Sequence, residues 1–203
     1  RAEILEKVRA LCFNEEAGMF REGPNCRQFT RHAQAWAVIN GLFDPAQSRT
    51  ALKNALACPP CSFAASYEWF RALEQAGMED EMRQSLDAWI GLIDRGNTTC
   101  PEEPRHPRSE CHAWSALPLY ELTRTMAGVR PEGHRVVIMP HLYDLDDLSG
   151  TAITPSGPVH YCYQKCADGQ WRYEVQLSEN TEGLFITPSG RRIPFTGQLL
   201  ITV

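Results

Sequence analysis

The spacing of apolar residues changes period once along this chain, near residue 128, and that change does most to limit the folds open to it. Before it, apolar residues recur at helical spacing. Ile4, Leu5, Val8, Leu11 and Cys12 predict one buried stripe on a first helix. A second helix is expected from about Thr30 to Asn40, ended by Gly41. Asp44-Pro45 supplies an N-cap and then Pro at the first helical position, opening a third helix that runs to Ala57 before Pro59 and Pro60 close it. A fourth spans about Phe63 to Ala76 and stops at Gly77; a fifth sets Leu86, Trp89, Ile90 and Ile93 on one side before Gly96. The last begins after Ser109, a good N-cap residue, and ends near Gly128.

Beyond Gly128, β-branched and aromatic runs alternate with turn residues. His134–Met139, Val159–Gln164, Trp171–Gln176, Leu184–Thr187 and Leu199–Val203 are expected strands. Ile153-Thr154-Pro155-Ser156-Gly157 recurs as Ile186-Thr187-Pro188-Ser189-Gly190, with Pro presetting φ and Gly accepting positive φ, and both copies read as turns between strands. Helices followed by strands, without alternation, exclude a parallel α/β sheet and predict an α+β multidomain chain: helices over residues 1–127 and an antiparallel β-sandwich over 128–203.

Composition narrows the function. With 43% hydrophobic and 22% charged residues the chain is expected to fold, and no apolar run approaches the roughly 18 residues of a membrane span. A net charge of -5 offers no basic field for nucleic acid. The opening Arg1-Ala2-Glu3 points to a processed product or a piece of a longer polypeptide, and leaves the compartment open. Of eight cysteines, several sit in helical patterns as small hydrophobes. Cys58-Pro59-Pro60-Cys61 has redox or half-zinc spacing, but it falls between helical patterns and lacks two further ligands, so an interhelix turn is expected.

Chemistry-bearing residues concentrate between positions 96 and 114. Glu102, flanked by Pro101 and by Glu103-Pro104, sits on restricted backbone that would hold a carboxylate in a fixed direction, as a general base requires; a solvated surface loop is the plainer account. His112 and Trp114 follow, the first open to a helix-start role and the second to a place in a core.

Gly96-Asn97-Thr98-Thr99 with Glu102, then Ser109-Glu110-Cys111-His112-Ala113-Trp114-Ser115-Ala116, resembles the late catalytic-domain signature of glycoside hydrolase family 78, the α-L-rhamnosidases. Thr30-Arg31-His32-Ala33-Gln34-Ala35 resembles an earlier family helix, and Ile153 to Val159 a passage of the β-domain behind the barrel. The resemblance implies a six-hairpin α/α barrel with an inverting active site, then a β-sandwich. It makes Glu102 the base that activates water and His112 a sugar-pocket residue, with Trp114, Thr99 and Glu103 as further substrate contacts. An inverting site needs two carboxyl groups roughly 6.5 to 9.5 Å apart, one acid and one base. The family's acidic, Trp-containing stretch has no counterpart here, and Pro101 stands where an aromatic residue precedes the base. Residues 1–127 are therefore expected to be the second half of the barrel, the general acid to lie outside the chain, and the segment alone to be silent. No cofactor or metal is expected; the expected partners are a rhamnose-containing glycoside, and a second copy or the missing barrel half. The competing classes are a non-catalytic carbohydrate-binding or domain-packing module, and a thiol or zinc protein built on Cys58 and Cys61.

Overall fold

A computed structural model describes residues 1–203. The chain divides into two compact units, Arg1–Leu117 and Pro118–Val203.

The first unit is helical. Helix α1 (Ala2–Cys12) carries the expected apolar stripe, yet only Cys12 on it is buried; Ile4 and Leu11 remain 66% and 57% exposed. A stripe is buried only where something packs on it, and in this unit only its Cys12 end is fully covered. A short hairpin, β1 (Phe13–Asn14) with β2 (Met19–Phe20), folds Phe13, Phe20 and Phe43 into one aromatic cluster. Helix α2 (Arg31–Ile39) starts where the Thr30 hydroxyl accepts a hydrogen bond from the Ala33 N–H. Its fully buried Gln34 acts as an extra strand edge: Oε1 accepts from the Phe20 N–H at 2.8 Å and Nε2 donates to the Phe20 carbonyl at 2.7 Å. Helix α3 (Pro45–Ala55) opens with a reciprocal capping box between Asp44 and Gln47.

Helix α4 (Ser66–Gln75) buries Trp69, Phe70, Ala72 and Leu73, and packs against α2, whose Ala35 and Ala37 let the two backbones approach. Gly77, at φ +64°, ends it. The expected fifth helix is two, α5 (Glu79–Ser85) and α6 (Asp87–Asp94), and α6 buries Trp89 and Leu92 while Ile90 and Ile93 are 46% and 74% exposed. The last helix starts later than Ser109 predicts. The Ser109 hydroxyl donates to the Cys111 carbonyl instead of capping, and one tight turn at Ala113–Ser115 precedes helix α7 (Leu117–Glu121) and a wider turn over Leu122–Met126. Residues 100–112 are committed to loop pairing, described below, so their backbone is not free to coil.

The second unit holds two four-stranded sheets. One has the order β10 (Gln198–Thr202), β7 (Trp171–Gln176), β6 (Gly157–Lys165), β5 (Asp147–Thr154), all antiparallel. The other runs β3 (Val129–Glu132), β4 (Arg135–Ile138), β8 (Glu182–Ile186), β9 (Arg192–Thr196). This second sheet is mixed, which corrects the antiparallel expectation: β4 and β8 are parallel, because the chain leaves β4, builds most of the other sheet, and re-enters in the same direction. Val136, Ile138 and Phe185 of one sheet share a core with Val159, Tyr163, Tyr173 and Val175 of the other. Both Ile-Thr-Pro-Ser-Gly copies are hairpin turns, joining β5 to β6 and β8 to β9, with Gly157 at φ +106° and Gly190 at φ +83°. In each, the Thr hydroxyl ties the turn, Thr154 Oγ1 donating to the Gly157 carbonyl and Thr187 Oγ1 accepting from the Arg191 N–H.

Candidate functional site

The loop between α6 and α7 is a pinned hairpin. The Glu102 N–H donates to the Ser109 carbonyl at 2.9 Å, and the His112 N–H donates to the Cys100 carbonyl at 2.8 Å. Thr99 Oγ1 closes the open end on the Glu110 carbonyl at 2.6 Å. Two bonds fasten this segment to its surroundings: in the turn before α4 the Phe63 N–H donates to the Glu102 carbonyl at 3.0 Å, and on α6 Trp89 Nε1 donates to the Ser115 carbonyl at 2.7 Å. Pro101 is buried beneath it, and Pro104 and Pro107 restrict its tip.

On this frame the Glu102 side chain, 15% exposed, faces the guanidinium of Arg108 across the hairpin in a bidentate pair; Nη2 donates to Oε1, and Nε to Oε2 at 3.2 Å. The Arg108 hydrogen bond, opposed by desolvation and helped by the charges of Arg108 and His112, holds the Glu102 carboxyl below the usual carboxylate range. It is ionised at neutral pH. His112 meets Trp114 edge to face at 5.7 Å between ring centroids. Trp114 is no core residue: its side chain is 79% exposed. Thr99 is exposed, with its hydroxyl spent on the hairpin. Glu103 is exposed and points elsewhere, into a cleft of about 630 Å³.

That cleft lies between Cys61–Trp69, Gln84–Trp89 and Glu103–Arg105. Its floor is apolar and buried, formed by Phe63, Trp69 and Trp89, while Arg31, Glu103 and Arg105 bring charge to the rim. The sequence-predicted residues thus fall in two places, with Glu102, Thr99, His112 and Trp114 on the hairpin and Glu103 in the cleft. Arg108 as the partner of Glu102, and Arg31, Trp69 and Trp89 as cleft residues, went unassigned in the sequence. Arg31 sits inside one of the recognisable stretches, but a Trp at helical spacing reads as ordinary core.

Cys58 and Cys61 lie between α3 and α4, as an interhelix turn would place them, and all eight cysteines are free thiols. Burial pushes the Cys61 thiol up to about 11, so it is protonated and a poor nucleophile at neutral pH. Its sulfur lies 3.9 Å from His32 Nδ1.

An α+β chain of packed helices followed by two sheets, with a charged hairpin beside an apolar cleft, defines the class. No family model and no curated protein matches the sequence. Among solved structures, an α-L-rhamnosidase from Aspergillus terreus aligns with all of this chain at a TM-score of 0.81 and 15% identity, over 26% of its own length. A rhamnosidase from Klebsiella oxytoca with rhamnose bound aligns with 60% of the chain at 0.52 and 24% identity, over 27% of its own. A protein from the human microbiome described as a kojibiose phosphorylase aligns with 95% at 0.55 and 8% identity, over 29% of its own. The chain has a rhamnosidase-like fold, and it spans about a quarter of the length of these carbohydrate-active proteins.

Proposed function

We propose that this chain is the C-terminal part of an inverting glycoside hydrolase of family 78, cleaving terminal α-L-rhamnosides with Glu102 as general base. On this reading residues 1–127 are the second half of a six-hairpin α/α barrel and 128–203 its C-terminal β-sandwich. The packing of α2 on both α3 and α4 is compatible with such a barrel, in which a helix meets its hairpin partner and the next helix but one. One observation carries the catalytic part: Glu102 is held ionised on backbone pinned at both faces, with the His112 ring in its field.

The chemistry follows from that carboxylate. It takes a proton from a water on the far face of the sugar ring, the water oxygen attacks the anomeric carbon, and the glycosidic bond breaks as an acid outside this chain protonates the leaving oxygen. His112 and Trp114 orient the ring, with Thr99 fixing the hairpin that carries them and Glu103 contributing from the cleft side. The test is Glu102→Gln in the longer enzyme, assayed on an aryl α-L-rhamnoside. A loss of about 10² to 10⁴ in kcat is expected; unchanged turnover overturns the assignment. The 203-residue chain alone should give no stoichiometric turnover, since it holds one member of the acid and base pair.

A further inference from the structure

We propose that Cys100 and Cys111 are a redox-closed staple: a reversible disulfide across the foot of the hairpin between α6 and α7, formed by exchange with a low-molecular-weight disulfide and tightening the hairpin when closed. The inference does not depend on the glycosidase reading. It concerns the frame that carries Glu102 and His112, whatever those side chains do.

The backbone brings the two residues together. The His112 N–H donates to the Cys100 carbonyl at 2.8 Å. Cys111 precedes that amide, and in a trans peptide the preceding Cα lies about 2.4 Å from the nitrogen, beside the N–H bond and not behind it. The carbonyl oxygen is likewise about 2.4 Å from the Cys100 Cα, so this one hydrogen bond holds the two Cα atoms within about 6.5 Å of each other. Disulfides span roughly 4.4 to 6.8 Å between Cα atoms. Neighbouring bonds keep the pair in place: Thr99 Oγ1 donates to the Glu110 carbonyl at 2.6 Å on one side, and the Glu102 N–H donates to the Ser109 carbonyl at 2.9 Å on the other. The fold thus pairs the two residues before any covalent bond joins them.

Access sets the order of the chemistry. Cys111 is exposed and Cys100 half-buried, both as free thiols, so an outside disulfide meets Cys111 first. The Cys111 thiolate attacks one sulfur of a disulfide RSSR; the S–S bond breaks, and the other half leaves and takes up a proton as RSH. The Cys100 thiolate then attacks the Cys111 sulfur of the mixed disulfide and expels the second RSH. Two thiols and RSSR become one intrachain disulfide and two RSH, with two electrons passing from the protein to the reagent. The closed ring runs from residue 100 to residue 111, with Glu102 inside it and His112 at its edge. Neither of the other close cysteine spacings competes. Cys61 is buried and its thiol is pushed up to about 11, which disfavours a Cys58–Cys61 pair. Cys162 lies within β6 and Cys166 just past its end, about 13 Å along an extended chain and not across two segments.

The experiment is equilibration of the reduced 203-residue chain with reduced and oxidised glutathione at pH 8, an iodoacetamide quench, and mass spectrometry of the unreduced tryptic digest. Trypsin separates Cys100, in Gly96–Arg105, from Cys111, in Ser109–Arg124, so the staple joins two peptides that are otherwise distinct. That joined pair should be the main disulfide product, and at least about 10-fold more abundant than in the same buffer with denaturing urea, where the fold no longer holds the thiols together. Closure should slow hydrogen exchange of the His112 amide about 10-fold or more, and dithiothreitol should restore the faster rate. Cys111→Ser, an exposed change, should abolish both effects. A glutathione adduct on Cys111 that never resolves, a yield indifferent to urea, or dominant pairing among the other cysteines overturns the staple. His112 exchange unchanged in the closed form overturns its tightening of the hairpin.

Discussion

Arg108 is 83% exposed and Glu102 is 15% exposed, so the pair that sets the charge of the proposed base is half in water. Its effect on stability is accordingly small, but its effect on titration is measurable. The folded carboxyl is depressed relative to the unfolded chain, so the pair stabilises the fold above the unfolded carboxylate pKa and that contribution is lost as pH falls through the folded value. Arg108→Ala should therefore move the Glu102 carboxyl upward toward the ordinary range. A carbon-detected NMR titration of the 203-residue chain reads this directly, and in the longer enzyme the acidic limb of the pH–rate profile should move up with it; an unmoved resonance would deny Arg108 the role. Thiol chemistry supplies a second check at this scale. Exposed Cys111 should react readily with a maleimide or aromatic disulfide at pH 8, while buried Cys61, with its thiol pushed up to about 11, should react only on denaturation. Rapid, paired labelling of Cys58 and Cys61 in the folded chain would revive a redox reading.

Among the elements, what could be read in advance was what carries its own local chemistry. The Ala-rich pattern ended by Gly41, the Asp44-Pro45 start and the Gly77 stop each act within a few residues, and α2, α3 and α4 lie where those signals put them. Asp44→Ala should cost about 0.5 to 2 kcal/mol, read as a lower midpoint in chemical denaturation. The strands divide differently. The three that escaped notice, β3, β5 and β9, are all sheet edges, with Pro131 and Pro194 in two of them and Gly150 in the third, and an edge needs neither a full apolar face nor every N–H. Gly150 is there because the Tyr161 ring lies across it, its hydroxyl 2.6 Å from where a Cβ would stand. Gly128 is stricter still: it sits at φ +73°, and a Cβ would fall 2.2 Å from the Met139 carbonyl carbon, which is backbone and cannot swing aside. Gly128→Ala should destabilise by at least about 2 kcal/mol, and a melt within a degree of the parent would show that the turn yields. On the hairpin, Ser109 reads locally as a cap, yet the non-local bonds from Phe63 and between Glu102 and Ser109 decide its conformation, and no window of adjacent residues contains that information.

For the molecule as a whole, the unburied apolar side chains matter more than the buried ones. Ile4 and Leu11 on α1, half-exposed Trp36 on α2, and Ile90 and Ile93 on α6 present hydrocarbon that helical periodicity marks for burial and that this unit leaves in water. Part of it borders a groove lined by Ile4, Val8, Phe20 and Trp36, about 690 Å³ in volume. Scattered apolar residues are normal on a surface, but stripes along helices mark surfaces that pack against something. The solved α-L-rhamnosidase that aligns with this entire chain is nearly four times as long, which leaves ample polypeptide to cover such faces in a protein of that architecture. The expectation is that the 203-residue chain self-associates or binds an exposed-surface dye, and that Ile4→Glu with Leu11→Glu reduces both without lowering the melting temperature, since neither side chain is in the core. Light scattering across a hundredfold range of concentration, on parent and double variant, decides it. A strict monomer without dye binding would mean that these faces are solvated as they stand, and the half-barrel reading of residues 1–127 would lose the physical reason for its missing half.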